Sequence, residues 1–241
     1  MIFKKRKLFF NIIRYILEPL PNIADLKKTY SIIYILSYEK YDLPGFSLKY
    51  KQTPVIYLNS DIDMVMSKFN STTRNEIRKT FDDKIPGLKF IDNDVDLKNN
   101  YLLSVEFEKT QHRKPDSIKE YQGCKIFSSY YNDRLIANII CFDTGQVLRA
   151  KVICSKRLGV DNPEMQRMIS YAGRRLMYNV CEYGIDNKYQ MYDLGSVNFD
   201  KKNLAKFKMN FTNDLIDEYT YTYINPWLKM FVKIRNIIKI K

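Results

Sequence analysis

Apolar and polar positions along the 241-residue chain change period several times. Near the start, Leu8, Phe9, Ile12, Ile13 and Ile16 recur at helical spacing with Asn11 and Arg14 opposite, and predict an amphipathic helix. Pro19 and Pro21 break it, and Ile32 to Leu36 and Pro54 to Leu58 read as strands. Asn59 or Ser60 then caps a helix reaching about Phe81, with Asp63 completing an approximate capping box. Its residues Val65, Phe69, Ile77 and Phe81 face inward, and Arg74 and Arg78 share another face. Pro86-Gly87 ends that helical unit. A strand around Leu88 to Ile91 follows, then a helix from about Val95 to Gln111 that Pro115 stops.

The second half has a different rhythm. Three β-branched runs, Cys124 to Tyr131, Leu135 to Phe142 and Gln146 to Ser155, are joined by Asn132-Asp133 and Thr144-Gly145, which is the turn chemistry of antiparallel hairpins. Next comes a helix with Asn162 at its N-cap, Pro163 in its first turn, Met165, Ile169, Ala172, Leu176 and Val180 on one face, and Gly184 at its end. Tyr189 to Leu194 reads as a buried strand, Lys201 to Asn210 as a helix and Glu218 to Tyr223 as a last strand. Beyond Pro226, Trp227, Phe231, Ile234 and Ile238 share a helical face opposite Lys229, Lys233, Asn236 and Lys239. The order describes a mixed α/β core, which pattern alone does not narrow to one fold.

Charge refines this picture. The net charge is +13, but the first 17 residues carry Lys4, Lys5, Arg6, Lys7 and Arg14 without an acid, and the last 16 carry Lys229, Lys233, Arg235, Lys239 and Lys241 without one. Only +3 belongs to everything between, so the basicity lies in two tails around a nearly balanced body. Basic amphipathic ends suit an anionic membrane surface, or else pack on the body with a solvated rim. No apolar run reaches the roughly 18 residues of a membrane-spanning helix. Asn11 and Arg14 interrupt the first apolar stretch and no clear cleavage site follows, which argues against a signal peptide.

Composition mostly excludes. At 45% hydrophobic content the chain can bury a full core. Cys124, Cys141, Cys154 and Cys181 have no CxxC or Cys/His spacing and read as reduced core residues of a cytosolic protein. His112 is the only histidine, so Ser-His-Asp and Cys-His sets have nowhere else to form, and metal catalysis lacks ligands. Glu106 and Glu108 fall on the Val95 to Gln111 helix, where Glu106 could face a cleft.

Two motifs carry the candidate chemistry. Met191-Tyr192-Asp193-Leu194-Gly195 ends a strand on an acid and a glycine, and Lys206-Phe207-Lys208-Met209-Asn210-Phe211 follows on a helix. Strand ends of this kind are where α/β domains present polar groups to ligands. Together they resemble the Tyr-Asp-Leu-Gly and Phe-Lys-x-x-Phe-Gly signature of the Fem-type branch of the GNAT acyltransferase superfamily. Ser71-Thr72-Thr73-Arg74-Asn75-Glu76-Ile77-Arg78-Lys79 resembles that branch's Arg-x-x-Ile-Arg-Lys helix, and the likeness spans roughly residues 50 to 225. Thr212 stands where the signature has its final glycine, and Ser196 where a second glycine commonly follows the acid.

The resemblance implies a GNAT-like mixed central sheet with flanking helices, here with basic amphipathic terminal helices. Residues 1–50 would be a partial N-terminal extension, 51–225 the acyltransferase domain and 226–241 the C-terminal helix. It implies N-acyl transfer from acyl-coenzyme A, such as acetyl-coenzyme A, to an amino group of a nucleotide- or lipid-linked sugar in cell-surface polysaccharide biosynthesis. Asp193 would act as base, orient the amine or bind a sugar hydroxyl, and Lys208 would bind acceptor phosphate or stabilise charge. Arg74, Arg78 and Tyr192 would contact substrate. The pyrophosphate would sit on the Ser155 to Asn162 loop, where Lys156 and Arg157 supply cations, Gly159 permits close approach and Asn162 begins the helix. That loop has a single glycine and an acid, Asp161, at its mouth.

A rival keeps the fold and takes aminoacyl-tRNA as donor, as in the peptidoglycan-bridge enzymes, though those usually carry two GNAT-like halves. A third reading is a non-catalytic membrane or nucleic-acid adaptor that has kept the fold. A cytoplasmic protein, peripheral on the inner membrane face, fits the first two.

Overall fold

The computed structural model describes residues 1–7, 9–82, 84–197 and 202–230. Two units are distinguishable, one formed by Met1–Gln52 and the chain from Ile216 onward, the other by Thr53–Leu215.

In the first unit the N-terminal segment corrects the helical expectation. It is a hairpin of β1 (Ile2–Lys7) and β2 (Phe10–Ile16), in antiparallel register with Lys4 opposite Ile13 and Lys7 opposite Phe10. β2 pairs in parallel with β3 (Ile32–Ser37), and α1 (Ile23–Thr29) makes the crossover. β-branched Ile12, Ile13 and Ile16 lose rotamer freedom in a helix, and here they lie against Ile32, Ile33 and Leu36 of the parallel partner. Tertiary pairing thus overrides a helical stripe. The sequence reading also missed α1, whose start is marked by Asn22: its side chain accepts from Ala24 N–H at 3.0 Å. β10 (Leu215–Ile224) pairs antiparallel with β3, and Ile13, Leu26, Ile33, Ile35 and Tyr221 form the core. Residues 226–230 are helical, with Trp227 70% exposed and Leu228 buried. Phe231, Ile234 and Ile238, the rest of the expected C-terminal stripe, lie outside the described residues.

The second unit holds a mixed sheet in the order β4 (Ser47–Tyr57), β9 (Met191–Asp193), β8 (Val147–Ser155), β7 (Arg134–Asp143), β6 (Lys125–Tyr131) and β5 (Leu88–Asp92). Only β8 and β9 are parallel. The β6–β7 turn uses Asn132 and Asp133 at φ 47° and 61°, the left-handed pair that a tight hairpin requires. β7 separates two cores by alternation. Ala137, Ile139 and Cys141 join Leu176, Met177, Val180 and Cys181 of α5 (Pro163–Asp186), while Ile140 meets Leu103 of α4 (Leu97–Thr110) on the other face.

Asn162 caps α5 as read from sequence, and Ile169, Ala172, Leu176 and Val180 are at most 1% exposed. Gly184, however, does not end the helix. It lies inside it, where an added Cβ would stand 2.5 Å from Leu58 Cδ1. Gly184→Ala should therefore cost about 1–3 kcal/mol by overpacking. Trimming the neighbour as Leu58→Val in the same chain should recover part of that loss in urea unfolding.

The helix expected from Ser60 to Phe81 is broken in two, α2 (Ile62–Ser67) and α3 (Ser71–Arg78). Asp61, not Asn59 or Ser60, caps the first. Asn70 restarts the second by accepting from Thr73 N–H at 2.7 Å, so its local hydrogen bond outcompetes helix continuation. The four cysteines are free thiols. Burial pushes Cys124 and Cys154 up to about 12, so neither is a nucleophile at neutral pH.

Candidate functional site

The parallel strands β8 and β9 run together only from Val147–Met191 to Arg149–Asp193. β9 then ends, while β8 continues to Ser155. The carboxyl ends of parallel strands are the position where α/β sheets receive ligands.

Asp193 closes the paired region and is buried there. It is 0% exposed and accepts from Thr53 Oγ1 and the Arg149 guanidinium, and from Gly195 N–H at 2.7 Å. Gly195 has φ +75°, and a Cβ there would lie 3.2 Å from the Ala150 carbonyl oxygen, so the turn needs glycine. Lys208, on α6 (Lys202–Met209), is 7% exposed and donates to the carbonyls of Gly195 at 2.7 Å and Ser196 at 3.2 Å. The two residues expected to perform chemistry thus meet on one loop, one holding its N–H and the other its carbonyls. In this geometry both side chains are buried and hold the loop after β9. Tyr192 is 0% exposed in the core with its hydroxyl on Met177 Sδ at 3.5 Å, and burial pushes its phenol far above the ordinary value.

Arg74 turns back to donate to the carbonyls of Ser67, at 2.9 Å, and of Phe69, and so closes the α2–α3 break. Arg78 is exposed beside Asn75. The two arginines expected to contact substrate thus have different surroundings.

Lys156, Arg157 and Gly159 form an exposed 3-10 turn, Lys156–Gly159, between β8 and α5. The helix they lead into is already saturated at its start. Pro163 has no N–H, Asn162 Oδ1 accepts from Glu164 N–H at 2.8 Å and Met165 N–H at 3.1 Å, and the Asn162 carbonyl accepts from Gln166 N–H at 2.9 Å. At the helix start these N–H groups thus already have acceptors, and Glu164 adds an acid to the same turn. This does not fit pyrophosphate binding by helix N–H groups.

Beside this turn lies a pocket of about 190 Å³ between α4 and the end of β8. Leu103, Phe107, Leu158 and Val160 give it apolar walls, and Glu106 and Lys156 give it one charge of each sign. Leu158 is 75% exposed at its rim. The pocket unites Lys156 and Gly159 with Glu106, an acid that the sequence reading placed on the helix without assigning it a role.

A buried polar network that the sequence reading missed fixes α4 on the sheet. Asn100, 0% exposed, donates to Asp94 Oδ2 at 2.9 Å and accepts from Ser128 Oγ at 2.8 Å and Asn138 Nδ2 at 2.9 Å. Cys154 Sγ lies 2.8 Å from Asn138 Oδ1, so the network reaches the β8 residue before Ser155. Burial alone would raise the Asp94 carboxyl, but hydrogen bonds from the Asp96 N–H, Tyr130 and Asn100 outweigh it and hold it below the usual carboxylate range. Among the described residues no group of three or more His, Cys, Asp or Glu could hold a metal ion, and no helix is long and apolar enough to cross a membrane.

The architecture is one shared with several solved structures. FemX shares it with a TM-score of 0.64 at 11% identity, over 95% of this chain and 85% of that one. The C-terminal domain of a protein described as a lysylphosphatidylglycerol synthetase, from Agrobacterium fabrum, shares it with a TM-score of 0.57 at 10% identity, over 98% and 85% of the two chains. A conserved protein of unknown function from Bacteroides thetaiotaomicron gives 0.56 at 11% identity, over 92% and 82%. The sequence matches no family model and no curated protein. At these identities the likeness is one of fold.

Proposed function

We propose that the chain is an amide-forming acyltransferase whose donor is an aminoacyl-tRNA. The observation that carries this reading is Glu106 in the pocket beside Lys156. An aminoacyl group brings an ammonium and a side chain, which suit an exposed acid at a pocket walled by Leu103, Phe107, Leu158 and Val160. A plain acetyl group brings neither. The exposed cations Lys156 and Arg157 suit the phosphodiester next to the aminoacyl ester. Support also comes from the self-capped start of α5, whose first N–H groups already have an acceptor in Asn162. Size is no obstacle, since 95% of this chain superposes on 85% of the FemX chain.

In the proposed reaction the neutral amine of a nucleotide- or lipid-linked sugar attacks the ester carbonyl. The C–N bond forms, the C–O bond to the tRNA ribose breaks, and the amine's proton passes through water to the ribose oxygen. Asp193 and Lys208 act at one remove, by holding the Gly195 turn after β9. Acyl-coenzyme A is the second reading, favoured by Lys156 and Arg157 alone.

Filter binding with aminoacylated, N-acetyl-aminoacylated and deacylated tRNA tests the proposal. The free-amine form should bind about tenfold more tightly than the other two, the scale of one hydrogen bond to a charged group. Glu106→Gln should remove that difference while leaving deacylated tRNA binding unchanged. Equal binding of all three forms, with a salt-tolerant rise in melting temperature on adding acetyl-coenzyme A, would overturn it.

A further inference from the structure

The hairpin of β1 and β2 has a combination of residues that a solvated arm does not need. Its last pair is Lys7–Phe10, with Phe9 in the tight turn between the strands. Two-residue hairpin loops in water favour Asn, Asp and Gly, which tolerate left-handed backbone. Phe9 instead stands 87% exposed at this tip. Behind it Lys4, Lys5 and Arg6 are exposed on β1, and no acid occurs in the first 17 residues. Lysines on an outer strand also guard a sheet edge against aggregation, since β1 pairs only with β2 among the described residues. That role explains the cations but not an aromatic tip, which works against it.

We infer that this hairpin is a docking arm for an anionic lipid surface, with Phe9 entering the acyl boundary and Lys4 and Arg6 meeting the headgroups. Charge complementarity selects the surface: each cation near an anionic leaflet strengthens attachment about fivefold. The leading apolar tip favours a bilayer over nucleic acid, whose phosphates would call for cations foremost. The inference stands apart from the acyl-transfer reading and does not depend on its donor.

Co-sedimentation of the full chain with vesicles of phosphatidylcholine, alone or mixed with phosphatidylglycerol, is the test. Binding to the mixed vesicles only is expected, weakened about tenfold by Phe9→Ser and at least as much by Lys4→Glu with Arg6→Glu. Matching melting temperatures would show that these variants fold. A Phe9→Trp chain carrying Trp227→Phe gives a second readout, a blue shift of Trp emission on adding mixed vesicles. Absence of wild-type binding to the mixed vesicles, full binding by Phe9→Ser, or no blue shift would overturn the inference. So would charge reversals that weaken tRNA binding and leave vesicle binding intact.

Discussion

Arg149→Met is expected to cost about 3–5 kcal/mol of folding stability, the scale of removing one partner from a buried ion pair. The Asp193 side chain is 0% exposed and that of Arg149 only 9%. Once the guanidinium is gone, the carboxylate keeps the Thr53 hydroxyl and the Gly195 N–H, which sets the loss nearer the lower end. Arg149→Met with Asp193→Leu removes both charges, and should be more stable than Arg149→Met alone. The double variant should nevertheless transfer poorly, because the Gly195 turn has lost the acceptor that holds its N–H. Urea unfolding and single-turnover transfer separate the two effects. Asp193→Asn adds the decisive contrast. A positioning role predicts lower stability with an unchanged pH profile of the remaining activity. Full stability with a pH profile stripped of one ionisation would instead make Asp193 the base.

Which parts of this were legible in the sequence follows from how local their signals are. α5 announces itself through Asn162, Pro163 and a stripe that recurs every three or four residues. The β6–β8 meander is equally explicit, since β-branched runs alternate with turn residues at fixed spacing. Failures arise where a distant partner decides. Ile12, Ile13 and Ile16 satisfy a helical period, but β3 supplies a strand partner that no local pattern records. Asn70 looks like one polar position in a long helix, and becomes a cap only because the chain turns there.

The site shows the same division. Asp193, Lys208, Lys156 and Gly159 stood out by motif, and the structure brings the first two to bond one loop and places the other two in one turn. Their roles were not legible, because burial decides between a base and a buried anchor. One available signal went unread: Arg149 lies inside an apolar strand run, and an arginine there requires a buried acid. Glu106 gave only the faint signal of an acid on a half-apolar helix. Asn100 gave none, because a polar residue in a helix of mixed composition looks like one on a solvated face.

That silent residue carries the second large effect. Asn100→Leu removes the acceptor of Ser128, one acceptor of Asn138 and one donor to Asp94, and leaves these groups buried. At about 1–3 kcal/mol for each orphaned group, partly offset by what Asn138 retains through the Asn100 carbonyl, the loss should exceed about 3 kcal/mol. Asn100→Asp is a subtler case with a distinctive pH signature. Near neutrality it sets a second carboxylate against Asp94 and deletes a donor, so it should be as damaging as leucine. As pH falls, one of the two carboxyls takes a proton and can donate again, so the aspartate variant should gain on the leucine variant. The wild type moves the other way. Its Asp94 carboxyl is depressed, so the stabilisation is complete above the ordinary value of 3.8 and is lost as pH falls through the lower folded value. Urea midpoints across the acid range should therefore slope in opposite directions for Asn100→Asp and wild type. Binding adds the functional consequence, because α4 carries Glu106 to the pocket. A loosened α4 should erase the preference for aminoacylated over deacylated tRNA before it affects binding to the tRNA backbone. Loss of both together would instead place the network's importance in the fold alone.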